Sequence, residues 1–311
     1  MPWKNTFFKG NYSVFVFFLA VFLFSQSLYS QVKTEKIASA PADIKQLTLG
    51  MIAYSNPKTQ YESLLPVADY LASYSGAIIT VKLYDSYYSI LNDIDHDALD
   101  LALLSPVVYS LCMEDPDLLY LGTTLVNGKD NYNSVFITKK DSNIKSTNDL
   151  VDKNVGFVDR FSASGYLYPA SYLKASNLVK DGKSLYKPVF LGSHEKAVRA
   201  LLTGQVDAIG TYERIFEYSK DGFGTGKQVS INDFNVLKSF SEKIPEDAFV
   251  CRVALEKEIT DSLKKALMEY SGKFSEPDSK LKNAWYSGFN TDNQKAYSEL
   301  GVFLKSLIEA K

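Results

Sequence analysis

Short apolar runs alternate with helical patterns along the chain from Leu47 onward. The predicted elements of this first series are strands at Leu47–Tyr54, Ile78–Leu83 and Leu99–Leu104 and helices at Tyr61–Ser75 and Tyr87–Ile94. Ser105 followed by Pro106 predicts the start of another helix, with serine as its cap. This alternation is typical of an α/β architecture with largely parallel sheets.

A second series of the same kind begins at Ser134. Its predicted elements are strands at Ser134–Lys139, Val155–Val158, Val189–Leu191 and Val206–Thr211 and helices at Ser164–Ala175 and Glu195–Thr203. After the glycine-rich loop Asp221–Gly226 come strands at Val236–Ser241 and Ala248–Val253 and three helical patterns. Two such series in one chain predict two lobes that face a cleft, where ligands bind beyond the carboxyl ends of strands.

The first thirty residues have the pattern of a signal peptide. Lys4 and Lys9 precede the apolar run Val14–Phe24, which is shorter than the ~20 residues that span a bilayer. We expect cleavage near Ser30, no lipid anchor because no cysteine follows the run, and a polar tether over residues 31–46. A short membrane anchor is the alternative. The sequence thus predicts an exported, soluble protein.

Charge and composition exclude several classes of function. The chain has 34 Lys+Arg against 36 Asp+Glu, so its net charge of -2 indicates neither a nucleic-acid nor a membrane-surface partner. Two histidines and two distant cysteines, Cys112 and Cys251, predict no zinc site and no disulfide scaffold. Phosphate-loop and dinucleotide motifs are absent from the sequence, and we expect no cofactor and no metal.

Two predicted helix starts could hold an anion. Residues 159–166 lie between a strand and a helix, and Ser162 or Ser164 can cap that helix. The unpaired N–H groups of its first turn would then bind a phosphate-like group without Lys or Arg. His194 follows Ser193 in the first turn of the next helix, where the helix field favours a neutral imidazole that can donate a hydrogen bond. From local pattern alone, capped helices with no ligand are the alternative.

Tyrosines and one aspartate complete the candidates drawn from the residues. Tyr87 and Tyr132 begin or precede secondary elements, where a phenol can donate to an anion in a cleft. Asp207, between a helix and a strand, is either a turn residue or a functional one. Donors of this kind, without a lysine cluster, indicate a desolvated oxyanion held by hydrogen bonds.

Read in order, several segments resemble the phosphonate-binding periplasmic proteins of ABC transporters, over roughly Leu47 to Phe289. The matching segments are Asp85–Ile90, Asp100–Tyr109, Tyr132–Ile137, Asp149–Leu150, Phe157–Pro169, Gly192–His194, Gly204–Ala208 and Ser241–Asp247. The resemblance implies a type II periplasmic-binding fold, with two α/β lobes joined by two crossovers that close over the ligand. Lobe 1 would hold residues 47–132 and 240–311, and lobe 2 residues 133–239.

The same resemblance implies the ligand contacts. The phosphonate oxygens would be held by Tyr87, Tyr132, the helix start Ser162, Ala163, Ser164 and Gly165, and His194. Ala163 stands where the aminoethylphosphonate binder has a hydroxyl residue. Arg214 falls where that binder has a carboxylate for the ligand amine, whereas Asp247 matches the second such carboxylate. If Arg214 faces the cleft, phosphite, methylphosphonate or a carboxylated phosphonate should bind better than aminoethylphosphonate. Alternatively, Arg214 points to solvent or pairs with Glu213 or Glu217.

The function that follows is that of an exported, monomeric binding protein, which delivers a phosphorus oxyanion to a membrane permease and carries no catalytic residue. A ligand sensor that signals through a receptor would use the same site. An exported hydrolase would be a different class, and it would need Ser162 or Ser164 to meet His194 and Asp207 in a hydrogen-bonded triad.

Overall fold

The first described strand begins directly after Lys45. The computed structural model of the chain describes residues 45–54, 56–218 and 222–309. The predicted signal peptide, and the predicted tether as far as residue 44, lie outside these residues. Among the helices of the described part, none is both long and apolar enough to cross a membrane.

The first series folds as strands and helices in alternation, close to the predicted bounds. Its elements are β1 (Gln46–Ile52), α1 (Pro57–Ser75), β2 (Ile78–Tyr84), α2 (Tyr87–Asp95), β3 (Leu101–Leu104), α3 (Pro106–Cys112), β4 (Leu118–Leu125) and the short β5 (Asn131–Tyr132). Ser105 caps α3 as predicted, because its side chain accepts a hydrogen bond from the Val108 N–H. The strand β4 has no counterpart among the predicted elements.

The second series follows the same plan with shorter strands. Its elements are β6 (Ser134–Lys139), β7 (Asn154–Phe157), α4 (Tyr168–Ala175), β8 (Val179–Lys180), β9 (Lys183–Ser184), β10 (Lys187–Phe190), α5 (His194–Thr203), β11 (Ala208–Tyr212), α6 (Ile215–Tyr218) and β12 (Phe234–Ser239). The helix predicted from Ser164 starts instead with a π-helical turn, Ala163–Leu167, which precedes α4.

The chain then returns to the first sheet. The returning elements are β13 (Ile244–Pro245), β14 (Ala248–Arg252), α7 (Lys257–Ser275), β15 (Gly288–Asn290) and α8 (Gln294–Glu309). Two of the three helical patterns predicted near the C-terminus are α-helices, and the third helical segment there is a 3₁₀ turn, Lys280–Asn283. The thiols of Cys112 and Cys251 are both buried and do not form a disulfide.

The elements form two main mixed sheets rather than largely parallel ones. The strand order is β15-β4-β14-β3-β1-β2 in the first sheet and β10-β7-β11-β6-β12 in the second. In each sheet three strands connected through helices run parallel: β2, β1 and β3 in one, and β10, β7 and β11 in the other. The remaining pairings are antiparallel: β14 pairs with β3 and β4, β15 with β4, and β6 with β11 and β12.

Apolar residues on both faces of each sheet are covered by helices. On the first sheet, Leu47 and Leu49 pack with α1 and α7, whereas Ala102 and Leu104 pack on the opposite face with α2, α3 and Tyr297 of α8. On the second sheet, Phe136 and Phe157 pack with α4 on one face, and Val135, Ile137 and Ile209 pack with α5 on the other. Sheets that are buried on both faces hold the strand ends, and therefore the loops beyond them, in fixed positions.

Two segments connect the sheets, and they pair with each other. One runs from β4 through β5 to β6, the other from β12 through β13 to β14. In the antiparallel ladder of β5 and β13, Tyr132 lies opposite Ile244 and Asn131 opposite Pro245. These paired crossovers bring Tyr132 and Asp247 from the linking segments next to the strand ends of both sheets.

Candidate functional site

A cavity of about 60 Å³ is lined by residues from both sheets and from the crossovers. Of the nine residues predicted to bind ligand, seven line it: Tyr87, Tyr132, Ser162, Ala163, His194, Arg214 and Asp247. The other two, Ser164 and Gly165, are buried in the same turn as Ser162 but are not part of the lining. The predicted residues are therefore neighbours in space, although they span most of the chain.

The turn after β7 supplies the first group of donors. The Ser162 hydroxyl oxygen accepts a hydrogen bond from the Gly165 N–H at 3.0 Å, which caps the π-helical turn. The Ser164 hydroxyl is buried and has no hydrogen-bond partner among the described residues. A π-helical turn inserts an extra residue, and such turns are frequent at functional sites because they re-aim side chains.

Gly165 lets this turn lie against the end of β7. The Val158 N–H donates to the Gly165 carbonyl oxygen at 3.1 Å. A Cβ atom at position 165 would come within 2.4 Å of Val158 Cγ2 and 2.8 Å of Ser162 Oγ. Only glycine fits here without moving the serine, so Gly165 acts on the site through Ser162.

His194 begins α5 and faces the same turn. Its imidazole is buried, with Nε2 3.4 Å from Ser162 Oγ and Nδ1 3.0 Å from Thr211 Oγ1. Burial lowers the pKa of His194 to about 3, so the ring is neutral at neutral pH. The sequence also predicted a neutral imidazole, from the helix field, whereas here the cause of the low pKa is desolvation.

Two tyrosines complete this side of the cavity. Tyr87 starts α2 directly after its Ser86 cap, and Tyr132 lies in β5; burial raises the pKa of both phenols above the usual value. Both therefore keep their protons at neutral pH and remain donors. The Tyr87 ring is stacked with Phe161 at a centroid separation of 6.5 Å, which joins the first sheet to the turn of the second.

A second group of lining residues, the carboxyl side of the cavity, contains a buried carboxyl group. Asp247 accepts hydrogen bonds from the hydroxyls of Tyr54, at 2.9 Å, and Tyr286, at 3.1 Å. Burial raises the pKa of Asp247 to about 7. Within the described residues Asp247 is in no ion pair, so a ligand cation would be its first ionic partner.

Arg214 lines the cavity but is already paired. Its Nη2 donates to Glu246 and its Nη1 to the Val126 carbonyl oxygen at 3.0 Å. The Arg214 and Glu246 side chains are only 9% and 12% exposed, so this pair is buried. Neither of the alternatives drawn from the sequence holds, because Arg214 does not point to solvent and its ionic partner is neither Glu213 nor Glu217.

Sequence reasoning missed the residues that hold the carboxyl side together, above all Tyr54, Tyr286 and Glu246. Tyr54 follows the carboxyl end of the parallel strand β1, where ligand contacts collect in open α/β sheets, so it could have been found. Glu246 is adjacent to the predicted Asp247. No sequence signal pointed to Tyr286, which lies in the loop before β15.

The triad of the hydrolase alternative is not assembled. His194 Nδ1 faces the Thr211 hydroxyl rather than a carboxylate. Asp207 instead accepts a hydrogen bond from the Asn154 N–H at 2.8 Å, next to β7. Among the residues that the structure describes, no group of three or more His, Cys, Asp and Glu side chains could hold a metal ion. The lining is therefore suited to hydrogen bonding and ion pairing of a ligand.

Comparison with curated proteins identifies relatives of similar length. The chain is 26% identical over 227 residues to the phosphate-import protein PhnD of Mycolicibacterium smegmatis, which covers 70% of each chain. It is 25% identical over 276 residues to the phosphonates-binding periplasmic protein of Escherichia coli, which covers 86% of this chain and 78% of the relative.

Solved structures show the same fold. PhnD1 from Prochlorococcus marinus in complex with methylphosphonate superposes with a TM-score of 0.71 at 16% identity, over 85% of this chain and 98% of that one. A binding-protein component of an ABC phosphonate transporter from Pseudomonas aeruginosa gives 0.69 at 22% identity, over 81% and 83%. The architecture is thus the two-lobed type II periplasmic-binding fold.

A family model described as "ABC transporter, phosphonate, periplasmic substrate-binding protein" matches residues 49–297. This match spans well over half of the chain and includes both sheets and both crossovers. The chain therefore belongs to the family of phosphonate-binding periplasmic substrate-binding proteins of ABC transporters.

Proposed function

We propose that this chain is exported, with cleavage near Ser30, and that it binds a phosphonate or a related phosphorus oxyanion between its two sheets. It then delivers the ligand to a membrane permease. We also propose that it acts as a monomer. Family membership supports the substrate-binding role, and the cavity lining supports the class of ligand.

The observation that carries the proposal is a cluster of buried neutral donors. Ser162, His194, Tyr87 and Tyr132 converge on one side of the cavity, and the buried His194 ring and the two phenols are uncharged at neutral pH. Hydrogen bonds to an ionised acceptor are stronger than those between neutral groups, and in a desolvated site they hold an oxyanion without a counter-cation. Tetrahedral P–O groups offer several acceptors to such a cluster.

The Arg214–Glu246 pair changes the expectation about the ligand's substituent. The positive charge of Arg214 is compensated by Glu246, so it gives no reason to exclude an ammonium group. Asp247, on the same side, has hydroxyl donors but no cation among the described residues. We therefore propose that aminoalkylphosphonates are accepted, with the ammonium group at Asp247 and the phosphonate at the neutral donors.

Calorimetric titration of the mature chain at pH 7 tests both parts. Phosphite, methylphosphonate and aminoethylphosphonate should bind, whereas acetate, which lacks the tetrahedral oxyanion, should not. Asp247→Asn should weaken aminoethylphosphonate about tenfold or more, since a hydrogen bond to a charged group is lost, and leave methylphosphonate within a few-fold. Failure of every phosphorus oxyanion to bind would refute the proposed ligand class. Equal losses for both phosphonates would refute only the role of Asp247.

Delivery to a permease needs a separate measurement. Cells that lack this protein should lose uptake of the tightest ligand, and complementation with the wild-type gene should restore it. Complementation with a binding-defective variant that is exported and folded should not. Full uptake without the protein would contradict the transport role.

A further inference from the structure

Thr211 lies behind His194, outside the cavity lining. It is the fourth residue of β11, is fully buried, and its Oγ1 lies 3.0 Å from His194 Nδ1. We propose that the Thr211 hydroxyl donates to Nδ1 and fixes His194 in the tautomer that has its proton on Nε2, the nitrogen that faces the ligand. Thr211 would be a positioning residue, and this role rests on the proposed oxyanion site.

Counting donors and acceptors supports this direction of the hydrogen bond. Within the described residues, the Nδ1 atom of His194 is the one hydrogen-bond partner of Thr211 Oγ1. If Nδ1 carried the proton and donated it, the Thr211 hydroxyl proton would be buried without an acceptor. Leaving a buried donor unpaired is costly, whereas donation from Thr211 to the unprotonated Nδ1 satisfies both groups.

The other ring nitrogen shows why the tautomer matters. Nε2 lies 3.4 Å from Ser162 Oγ, on the cavity side of the ring. With a proton on Nε2, the neutral ring donates to a ligand oxygen. In the opposite tautomer, the Nε2 lone pair would face the same oxygen and repel it. Thr211 therefore decides whether His194 attracts or repels the oxyanion, although Thr211 itself does not touch the ligand.

The usual partner for orienting a histidine is a carboxylate or a backbone carbonyl, and both of these accept a hydrogen bond from a protonated Nδ1. A hydroxyl can donate instead. Because Thr211 adds no negative charge, the ring is not stabilised as an imidazolium. This agrees with burial being the cause of its low pKa. The pairing thus keeps the donor neutral and correctly oriented at the same time.

Nitrogen-15 NMR of the imidazoles in the ligand-free, tag-free protein tests the proposal directly. The chain has only two histidines, so two imidazole spin systems are expected. His96 is exposed and its Nδ1 lies 2.7 Å from the Asn92 carbonyl oxygen, which can only accept, so it provides an internal reference for a protonated Nδ1. His194 should show the opposite pattern, a protonated Nε2 and an unprotonated Nδ1.

Two substitutions then separate positioning from packing. Thr211→Val keeps the shape but removes the hydroxyl, so it should abolish the fixed tautomer and weaken methylphosphonate binding by about tenfold. Thr211→Ser should restore both the tautomer and the affinity. A protonated Nδ1 on His194 in the wild type would overturn the proposal, as would a Thr211→Val variant that loses affinity with the tautomer unchanged.

The tautomer measurement needs no ligand, so it can be read even if the protein binds no phosphorus oxyanion. That outcome would refute the proposed function alone. If Thr211→Val does not fold, the wild type and Thr211→Ser still decide: both should show His194 protonated on Nε2, and a different pattern in either contradicts the proposal.

Discussion

The two sides of the cavity contact a ligand through different kinds of interaction. The donor side, formed by Tyr87, Tyr132, Ser162 and His194, holds no charge at neutral pH. The carboxyl side, formed by Arg214, Glu246 and Asp247, has three ionisable groups, of which two neutralise each other. The donor side thus offers neutral hydrogen-bond donors in a fixed arrangement, and the carboxyl side offers charged side chains in fixed positions.

This difference separates affinity from selectivity. Neutral donors in a desolvated site favour any small oxyanion whose oxygens fit. They do not discriminate between ligands that differ only in the substituent on phosphorus. Charged side chains discriminate between substituents. A ligand loses free energy of binding if its substituent has the same charge as the side chain, or if it leaves the side chain's charge without a partner. Substitutions on the donor side should therefore weaken all phosphonates equally, and substitutions on the carboxyl side should reorder them.

The largest effect should come from breaking the buried pair. Arg214→Met leaves the Glu246 carboxylate buried without its cation, which costs about 3–5 kcal/mol of unfolding free energy. The double variant Arg214→Met/Glu246→Gln should recover most of this loss. Chemical denaturation at pH 7 measures both. As a matched control, the exposed pair of Lys295 and Glu299, 86% and 70% exposed, should lose no more than ~1 kcal/mol in Lys295→Met.

If Arg214→Met instead loses less than ~1 kcal/mol, the pair is not a buried ion pair in solution. Arg214 would then be free to act on the ligand. In that case the exclusion of ammonium groups, which the sequence alone predicted, would return.

His194→Ala tests the donor side with a smaller effect. Loss of a hydrogen bond to a charged group should weaken binding by about 1.5–3 kcal/mol, or roughly 10–150-fold. The loss should be the same for methylphosphonate and aminoethylphosphonate, because His194 faces the group that both share. Calorimetry gives the affinities, and the exposed His96→Ala is the control. A loss confined to one ligand would show that the two sides are not independent.

The architecture was largely readable from the alternation of apolar runs, because a strand or helix that buries one face must repeat that pattern. The strand β4 was not predicted. Its Thr123 and Thr124 are polar but completely buried, and Thr123 Oγ1 lies 2.9 Å from the Tyr297 hydroxyl in α8. The first four residues of β4, Leu118–Leu121, form an apolar run that the same reasoning could have found, whereas the buried threonines of its second half interrupt the apolar pattern.

On the donor side, helix starts and caps are local features of the chain, so the sequence offered candidates there, and the family resemblance then selected them as ligand contacts. Ser162, His194 and Tyr87 each lie at or beside such a start. On the carboxyl side, Arg214 and Asp247 were predicted only through the family resemblance, and the ion pair of Arg214 was not predicted. Arg214 and Glu246 are 32 positions apart and meet only when β13 returns the chain to the first sheet. Tertiary pairing of this kind has no local signature. The sequence therefore predicted an effect of the Arg214 charge on the ligand without the Glu246 carboxylate that compensates it.

The smallest effect concerns the protonation of Asp247. Its pKa is raised to about 7 by burial, so below pH 7 the carboxyl group is mostly protonated and must release its proton to pair with an ammonium group. Wild-type affinity for aminoethylphosphonate, divided by that of Asp247→Asn, should therefore rise with pH up to about 7 and level off above. Between pH 6 and 7 the ionised fraction rises about fivefold, and the ratio should follow it. The ionisation of the ligand is the same for both proteins and cancels.

A ratio that does not change between pH 5 and 8 would mean that Asp247 is already ionised in the free protein, or that the ammonium group binds elsewhere. The size of the unchanged ratio separates these outcomes: a ratio well above one means that an ionised Asp247 binds the ammonium group, and a ratio near one means that the ammonium group binds elsewhere.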